Sequence, residues 1–265
     1  MLNKIIFQST FSTFSKNKIL KQGLELTKFK LSLLNGIVTI GAYSLYPATA
    51  SCLPLLASSV ALSMSTQALN QYIEIEFDKK MLRTSQRPLV LGLNPKIALG
   101  LGVGLGLSGI SGLYWYNPLT AAIGASIWFS YLFIYTRMKS RSELNTFVGS
   151  IIGSLPVYLG WAASGRSICM VEPFAIFMYM MAWQHQHFYG IRWIYYDDYN
   201  NAGFKMEKDK KLASAQIMAQ TVLSIVLVNY SLHYFGMMNC YLLGIPISAG
   251  LYHWGVKSAL AFSRE

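Results

Sequence analysis

Asn70, Glu74 and Asp78 stand four residues apart, and Arg83 and Arg87 follow within the next turn or two of chain. On a helix that spacing lines the amide and both carboxylates along one face. Three such oxygen donors make a hard site suited to Mg²⁺, which proteins hold with one or two carboxylates plus the phosphates of a substrate. Arginine meets phosphate through a planar, two-pronged contact. Acids and bases crowded together therefore make sense around a metal-bound diphosphate. An interfacial helix end closed by internal salt bridges is the other reading of the same residues. A second acidic pair, Asp197 and Asp198, has Lys205 close by, and a third cluster contributes Lys139 and Arg141. Two acidic segments ringed by bases describe a chamber with a diphosphate at its mouth and room for an apolar tail behind.

The elements that position these residues are written in the spacing of charge. The chain of 265 residues is 53% hydrophobic and 12% charged, against about 25% charged in a typical soluble domain. Uncharged windows run over 31–73, 97–136, 144–165, 173–191 and 212–256. A membrane helix needs about 20 apolar residues, so the two short windows hold one span each and the three long ones hold two. Tyr46-Pro47, Asn117-Pro118 and Gly236 with Asn239 supply the turns inside the long windows. The sequence predicts an all-α, polytopic transmembrane bundle of about eight spans, near 31–48, 52–72, 97–115, 119–136, 145–164, 172–190, 212–233 and 240–257.

With that count, both acidic segments, the Lys139 cluster and both termini share one face. The opposite face carries only Arg166 and Glu172. Lys and Arg accumulate on the side that is not translocated, which puts the chemistry on the cytoplasmic or matrix side. The net charge of +11 is then a topology signal and not a nucleic-acid-binding surface. Residues 1–24 hold Lys4, Lys16, Lys18 and Lys21 with no acid, which suits a mitochondrial presequence, with the basic tail of a bacterial membrane protein as the alternative. Residues 25–265 form the membrane domain. Cys52, Cys169 and Cys240 show no metal-binding spacing and fall near the charge-poor face. The Gly-rich run Leu99–Gly109 lies within a span, where small residues permit close helix packing.

The first motif resembles that of the UbiA-type intramembrane prenyltransferases, and within them the protohaem IX farnesyltransferase (haem O synthase) family. That family's pattern, N-x-x-x-E-x-x-x-D-x-x-M-x-R-T-x-x-R-P-L, is met by Asn70, Glu74, Asp78, Met81, Arg83, Thr84, Arg87, Pro88 and Leu89. Its central segment is met by Tyr135-Thr136, Lys139, Asn145, Gly149, Gly153, Pro156, Gly160 and Trp161. Its second acidic region is met by Trp183-Gln184, His187-Phe188, Trp193, Asp197-Asp198-Tyr199, Gly203 and Lys205-Met206. The resemblance runs from about residue 24 to 257. Three departures stand out: Lys28-Phe29 where the family has Lys-Pro, Leu155-Pro156 where it often has Pro-Pro, and eight visible spans where it usually has nine.

The resemblance implies farnesyl transfer from farnesyl diphosphate to a vinyl group of haem B, with addition of water, to give haem O for haem A and terminal oxidase biogenesis. It implies catalytic roles for Asn70, Glu74, Asp78, Asp197 and Asp198, with Glu74, Asp78 and Asp198 holding Mg²⁺. Arg83, Arg87, Lys139, Arg141 and Lys205 would meet the diphosphate. His185 and His187 are two residues apart and point to nearly opposite sides of a helix, so one of them faces any given pocket. His187, which matches the family, is the candidate haem-iron ligand. Trp183, Phe188 and Trp193 are either walls of a substrate site or interfacial anchors. The implied setting is the mitochondrial inner membrane with the active site facing the matrix, or a bacterial inner membrane with a cytoplasmic-side site, and haem A synthase is the implied partner. A prenyltransferase of quinone precursors would share the fold but lack the M-x-R-T-x-x-R-P-L run. A cation-dependent transporter would carry acids at mid-membrane depth, where these windows have none.

Overall fold

The computed structural model describes residues 18–45, 50–205 and 210–234, and every regular element among them is a helix. A short entry helix α1 (Lys18–Leu26) leads into α2 (Phe29–Tyr43) and α3 (Cys52–Ile73). A one-turn helix α4 (Ile75–Asp78) follows, then α5 (Pro95–Tyr114) and α6 (Pro118–Phe129). The last continues through a π-helical turn at Ser130–Tyr135 into α7 (Thr136–Met138). The chain then runs through α8 (Asn145–Ser154), α9 (Pro156–Ala163), α10 (Val171–Ile194), α11 (Tyr196–Ala202) and α12 (Lys210–Tyr234). Helices stand where seven of the expected spans were placed. The eighth window at 240–257, Cys240 and the N-terminal segment through residue 17 lie outside the described residues.

Cys52–Ile73, Pro95–Tyr114, Pro118–Met138 and Asn145–Ala163 are long and apolar enough to cross a membrane, and Phe29–Tyr43 is a shorter apolar helix. α10 is long as well, but Gln184, His185, Gln186, His187 and Arg192 load its C-terminal half with polar groups. Leu34, Ile37, Leu107, Phe129, Phe174, Val222 and Val226 all point outward with more than half their surface exposed. Water would tolerate such a girdle poorly, and acyl chains accept it. Helix starts follow local chemistry. The Asn117 side chain accepts a hydrogen bond from the Thr120 amide at 2.8 Å, and Pro118 opens α6 with a ring that needs no amide partner.

The small residues foreseen as packing surfaces do that work between α3 and α5. A Cβ on Gly109 would sit 2.9 Å from the Leu62 backbone nitrogen. The Ser65 hydroxyl donates to Gly102 O at 2.6 Å and accepts from Trp128 Nε1 at 2.8 Å, tying α3, α5 and α6 together. Tyr43, Leu55, Leu62, Leu113, Ala121 and Leu159 fill the space beside this seam. Gly160 lets α9 lie against the backbone of α2 at Thr39.

α3 begins at Cys52 and α10 begins just after Cys169, and each runs toward an acidic segment at its far end. Both thiols are exposed. An impermeant thiol reagent should therefore label Cys52 and Cys169 only from the side opposite the acidic segments in sealed vesicles. Labelling from the acidic side would overturn this orientation. Gly160→Ala should force α9 off α2, costing on the order of 1–3 kcal/mol, as overpacked cores do. A thermal midpoint unchanged from wild type would show that the two helices can separate freely.

Candidate active site

The helix carrying the first motif is not continuous. α3 ends at Glu74, whose backbone leaves the helical region (φ −98°, ψ 12°), and α4 restarts at Ile75. The hydrogen bonds Glu74 N to Asn70 O and Asp78 N to Glu74 O, 2.9 and 2.8 Å, carry the four-residue rhythm across the kink. Asn70, Glu74 and Asp78 therefore remain a column, and all three are buried, at 1%, 4% and 2% exposure. The second segment repeats the device. α10 ends at Tyr195 (φ −121°, ψ 31°), and α11 restarts with Asp197 and Asp198 in its first turn.

Each buried carboxylate of the first motif faces a cation brought from elsewhere. Arg87 Nη1 donates to Asp78 Oδ2 at 2.5 Å, and Lys139 Nζ donates to Glu74 Oε1 at 2.8 Å. The Asn70 amide donates to the Thr136 hydroxyl at 3.2 Å, joining the motif to the end of the π-helical turn. The salt-bridge reading of these residues is thus realised, but across 65 residues of chain in the Glu74–Lys139 pair and not within one helix end. Glu76–Lys79, three residues apart and exposed, is the one local pair in this segment. Burial raises the Asp78 carboxyl above the ordinary carboxylate range, and Arg87 only partly offsets this. Burial works against the charge on Lys139, and Glu74 outweighs it, so the ammonium is held above its ordinary value.

The two acidic segments meet. Asp198 accepts hydrogen bonds from the backbone amides of Leu82 and Arg83 at 3.1 and 3.0 Å. The Arg83 guanidinium donates to the Tyr199 hydroxyl at 3.2 Å and lies 5.0 Å over the Tyr195 ring. Beneath them, Phe77 stacks on Phe204 with ring centroids 5.0 Å apart, and Met81 is buried against Phe204 and Ala202. Asp197 is exposed. Among the described residues no three acids, histidines or cysteines converge on one point. A site that takes one or two carboxylates and lets the substrate's phosphates complete the shell needs no such trio, and Glu74 with Asp78 fits that requirement.

Lys28 joins this group although neither spacing nor motif singled it out as a site residue. It sits between α1 and α2 in the left-handed region (φ 43°, ψ 52°), which a side chain with a Cβ rarely adopts. Burial, followed by repulsion from Arg87 and Lys139, lowers its ammonium to about 7, against the pull of Glu74 and Asp78. A lysine just ahead of the first apolar window was the available signal. Lys28, Arg83 and Arg87 border a groove of about 940 Å³ that Lys21, Gln71 and Thr84 also line.

The other expected residues lie elsewhere. Arg141 and Lys205 open onto a separate cavity together with His185. His187 is exposed, stacked on Trp183 with rings 3° from parallel. The Trp193 side chain is outside the described residues. A small space of about 80 Å³ lies between Thr39, Thr66, Tyr131, Ile152 and Leu159, deeper in the bundle along the helix that carries Asn70.

A membrane bundle whose two kinked, acid-bearing helix ends close on one cationic mouth has counterparts of known kind. The sequence profile described as the UbiA prenyltransferase family matches residues 34–263, and the chain belongs to that family. It is 32% identical over 232 residues to the "Protoheme IX farnesyltransferase, mitochondrial" of Candida glabrata, covering 84% of this chain and 51% of that protein. The chain thus spans about half the length of that relative. It is also 32% identical to the "Protoheme IX farnesyltransferase" of Koribacter versatilis, covering 89% of this chain and 80% of that protein. The fold matches that of a UbiA homologue from Archaeoglobus fulgidus bound to GPP and Mg²⁺, with a TM-score of 0.65 at 14% identity over 91% of this chain and 99% of that one.

Lys28 gives the site a pH signature. An anion in the groove favours the charged ammonium, so above about pH 7 binding must take up a proton and affinity falls as pH rises. The loss should approach tenfold per pH unit between about 7 and the ordinary lysine value of 10.5. Pyrophosphate titrations of wild type and Lys28→Met at several pH values should differ in slope. Parallel slopes would remove Lys28 from the anion site.

Proposed function

We propose that this chain transfers the farnesyl group of farnesyl diphosphate to a vinyl group of protohaem IX, with water addition, giving haem O. The observation that carries the reading is the meeting of two acidic segments over a cationic mouth at one end of an apolar bundle. The protohaem acceptor rests on relatives of that name at 32% identity over most of this chain and on the full first motif. The prenyl diphosphate and Mg²⁺ rest on the Archaeoglobus fulgidus homologue of the same fold.

The residues account for the chemistry. Arg87 and Lys139 are committed to Asp78 and Glu74 in the structure. A diphosphate entering between them takes over the cations and frees carboxylate oxygens for a metal. Mg²⁺, when bound, neutralises charge on the leaving diphosphate. Lys28, Arg83, Arg87 and Lys139 add their positive charge at the same place, where charge grows as the C–O bond of the farnesyl ester breaks. The allylic carbon becomes electrophilic and the vinyl π electrons form the new C–C bond. The cation left next to the porphyrin is captured by water, which loses a proton and leaves a hydroxyl. No nucleophilic serine or cysteine is required. Asp198 holds the Leu82 and Arg83 amides and so fixes the loop that presents Arg83 and Arg87. The N-terminal basic segment, the inner mitochondrial membrane, a matrix-facing site and haem A synthase as the recipient of product complete this reading.

Membranes containing the full chain, supplied with protohaem, farnesyl diphosphate and Mg²⁺, should yield haem O whose new hydroxyl carries the isotope of labelled water. Asp78→Asn should lower kcat at least a hundredfold, while Glu76→Gln, whose carboxylate faces outward to Lys79, should keep the wild-type rate. Unmodified protohaem alongside prenylated 4-hydroxybenzoate would sink the haem assignment and leave the prenyltransferase class intact. A wild-type rate in Asp78→Asn would remove that carboxylate from the site.

A further inference from the structure

α10 presents its two histidines to different surroundings, and the one outside the family motif is the buried one. His185 is 6% exposed, and neither ring nitrogen has a hydrogen-bond partner. Gln216 lies beside the ring, and its carbonyl oxygen accepts from the Tyr189 hydroxyl. A buried imidazole left without a partner is a costly arrangement that calls for a ligand. His185 lines a cavity of about 540 Å³ between α8, α10 and α12. Phe147 and Tyr189 stand against the ring, at centroid distances of 6.1 and 5.1 Å. Arg141 and Lys205 lie on the same lining, with Glu143 as the one carboxylate there.

We propose that this cavity holds the porphyrin, with His185 as the axial ligand of its iron and Arg141 and Lys205 as partners of its two propionates. The proposal rests on the reading that protohaem is the acceptor, and it names where that acceptor sits. A free phosphate would satisfy the two cations and leave the imidazole orphaned. A metalloporphyrin uses all three: a neutral imidazole nitrogen for iron, aromatic walls for a flat macrocycle and cations for two carboxylates. The cavity also adjoins the diphosphate end. The Lys205 amide donates to Lys139 O at 2.6 Å, and Asn145 Nδ2 donates to Lys205 O at 2.6 Å. The backbone that carries the Glu74 partner is therefore bonded directly to the wall at Lys205, which brings an edge of the ring toward the diphosphate end. Arg141 and Lys205, expected on the diphosphate, are assigned to the other substrate.

The test uses the purified full chain in nanodiscs, without farnesyl diphosphate, titrated with ferric protohaem. Wild type should bind at one site with a Soret shift and a spin-resonance signature of nitrogen ligation. His185→Ala should bind at least tenfold more weakly and lose that signature, and free imidazole should restore it. His185→Met should change the signature to that of a sulfur ligand. Arg141→Gln and Lys205→Gln should weaken protohaem and iron-free protoporphyrin alike, about fivefold each, and leave pyrophosphate affinity at the wild-type value. A thermal midpoint at the wild-type value reports an intact bundle in every variant. Wild-type binding and spectrum in His185→Ala, loss of the signature in His187→Ala instead, or weakened pyrophosphate in the Arg141 and Lys205 variants would each overturn the site. Haem O formation that is indifferent to His185 would refute the site and keep the proposed activity. His185-dependent binding without farnesyl transfer would do the reverse.

Discussion

Two carboxylates buried where an apolar bundle meets its polar end set the terms for everything around them. Glu74 and Asp78 are 4% and 2% exposed. An ion taken out of water must find compensation, and removing one partner of a buried pair costs roughly 3–5 kcal/mol. The compensation cannot come from the same helix turn. It comes from Lys139, at the far end of the α6–π–α7 rod, and from Arg87, beyond a loop that folds back over α4. The kink at Glu74, the π-helical turn ahead of Thr136 and the fold-back of the loop all serve to bring these charges within reach.

The second acidic segment enters the same network by a different route. Its Asp198 binds backbone amides of the first segment's loop, and Phe77, Met81 and Phe204 form an apolar pad below that contact. The two segments thus act as one rim. The cations are divided between its two sides. Lys28, Arg83 and Arg87 border the groove toward α1, and Arg141 and Lys205 border the cavity toward α12. Lys139 stands between, with its ammonium on Glu74 and its carbonyl on Lys205. The proposed reaction, which joins an anionic lipid to an anionic ring, would gain from such a division, because a single cationic pool would let either substrate occupy the other's place.

Much of this was legible in the chain. Charge spacing located the helices because the bilayer tolerates no charge within them, and the four-residue column located the first carboxylates because helix geometry is regular. The column survives even though the helix breaks, since the backbone hydrogen bonds continue through Glu74. The pairing of Arg87 with Asp78 and Lys139 with Glu74 was not legible, because each depends on where separate elements dock. Lys28 escaped notice because its importance arises from the charges facing it across α1 and α2. The histidines were correctly read as facing opposite ways, but sequence favoured the one in the family pattern, and burial falls on the other. Which face of α10 turns inward is decided by its packing on α8 and α12, which no local pattern records.

The bonds from Leu82 and Arg83 to Asp198 also govern how the protein is made. Leu82 and Asp198 are 116 residues apart. At translation rates of about 5–20 residues per second, the loop of the first segment waits on the order of ten seconds for its acceptor to leave the ribosome. During that interval α3 can already be in the membrane, and Arg87 and Lys139 can already reach its acids, while its loop lacks the contact that holds the Leu82 and Arg83 amides. A nascent chain stalled before Asp198 should therefore be open to proteases between Lys79 and Leu93, and one stalled well past it should not. The rim closes only once the second acidic segment has been made, which lets its closure report that the two halves of the bundle have met.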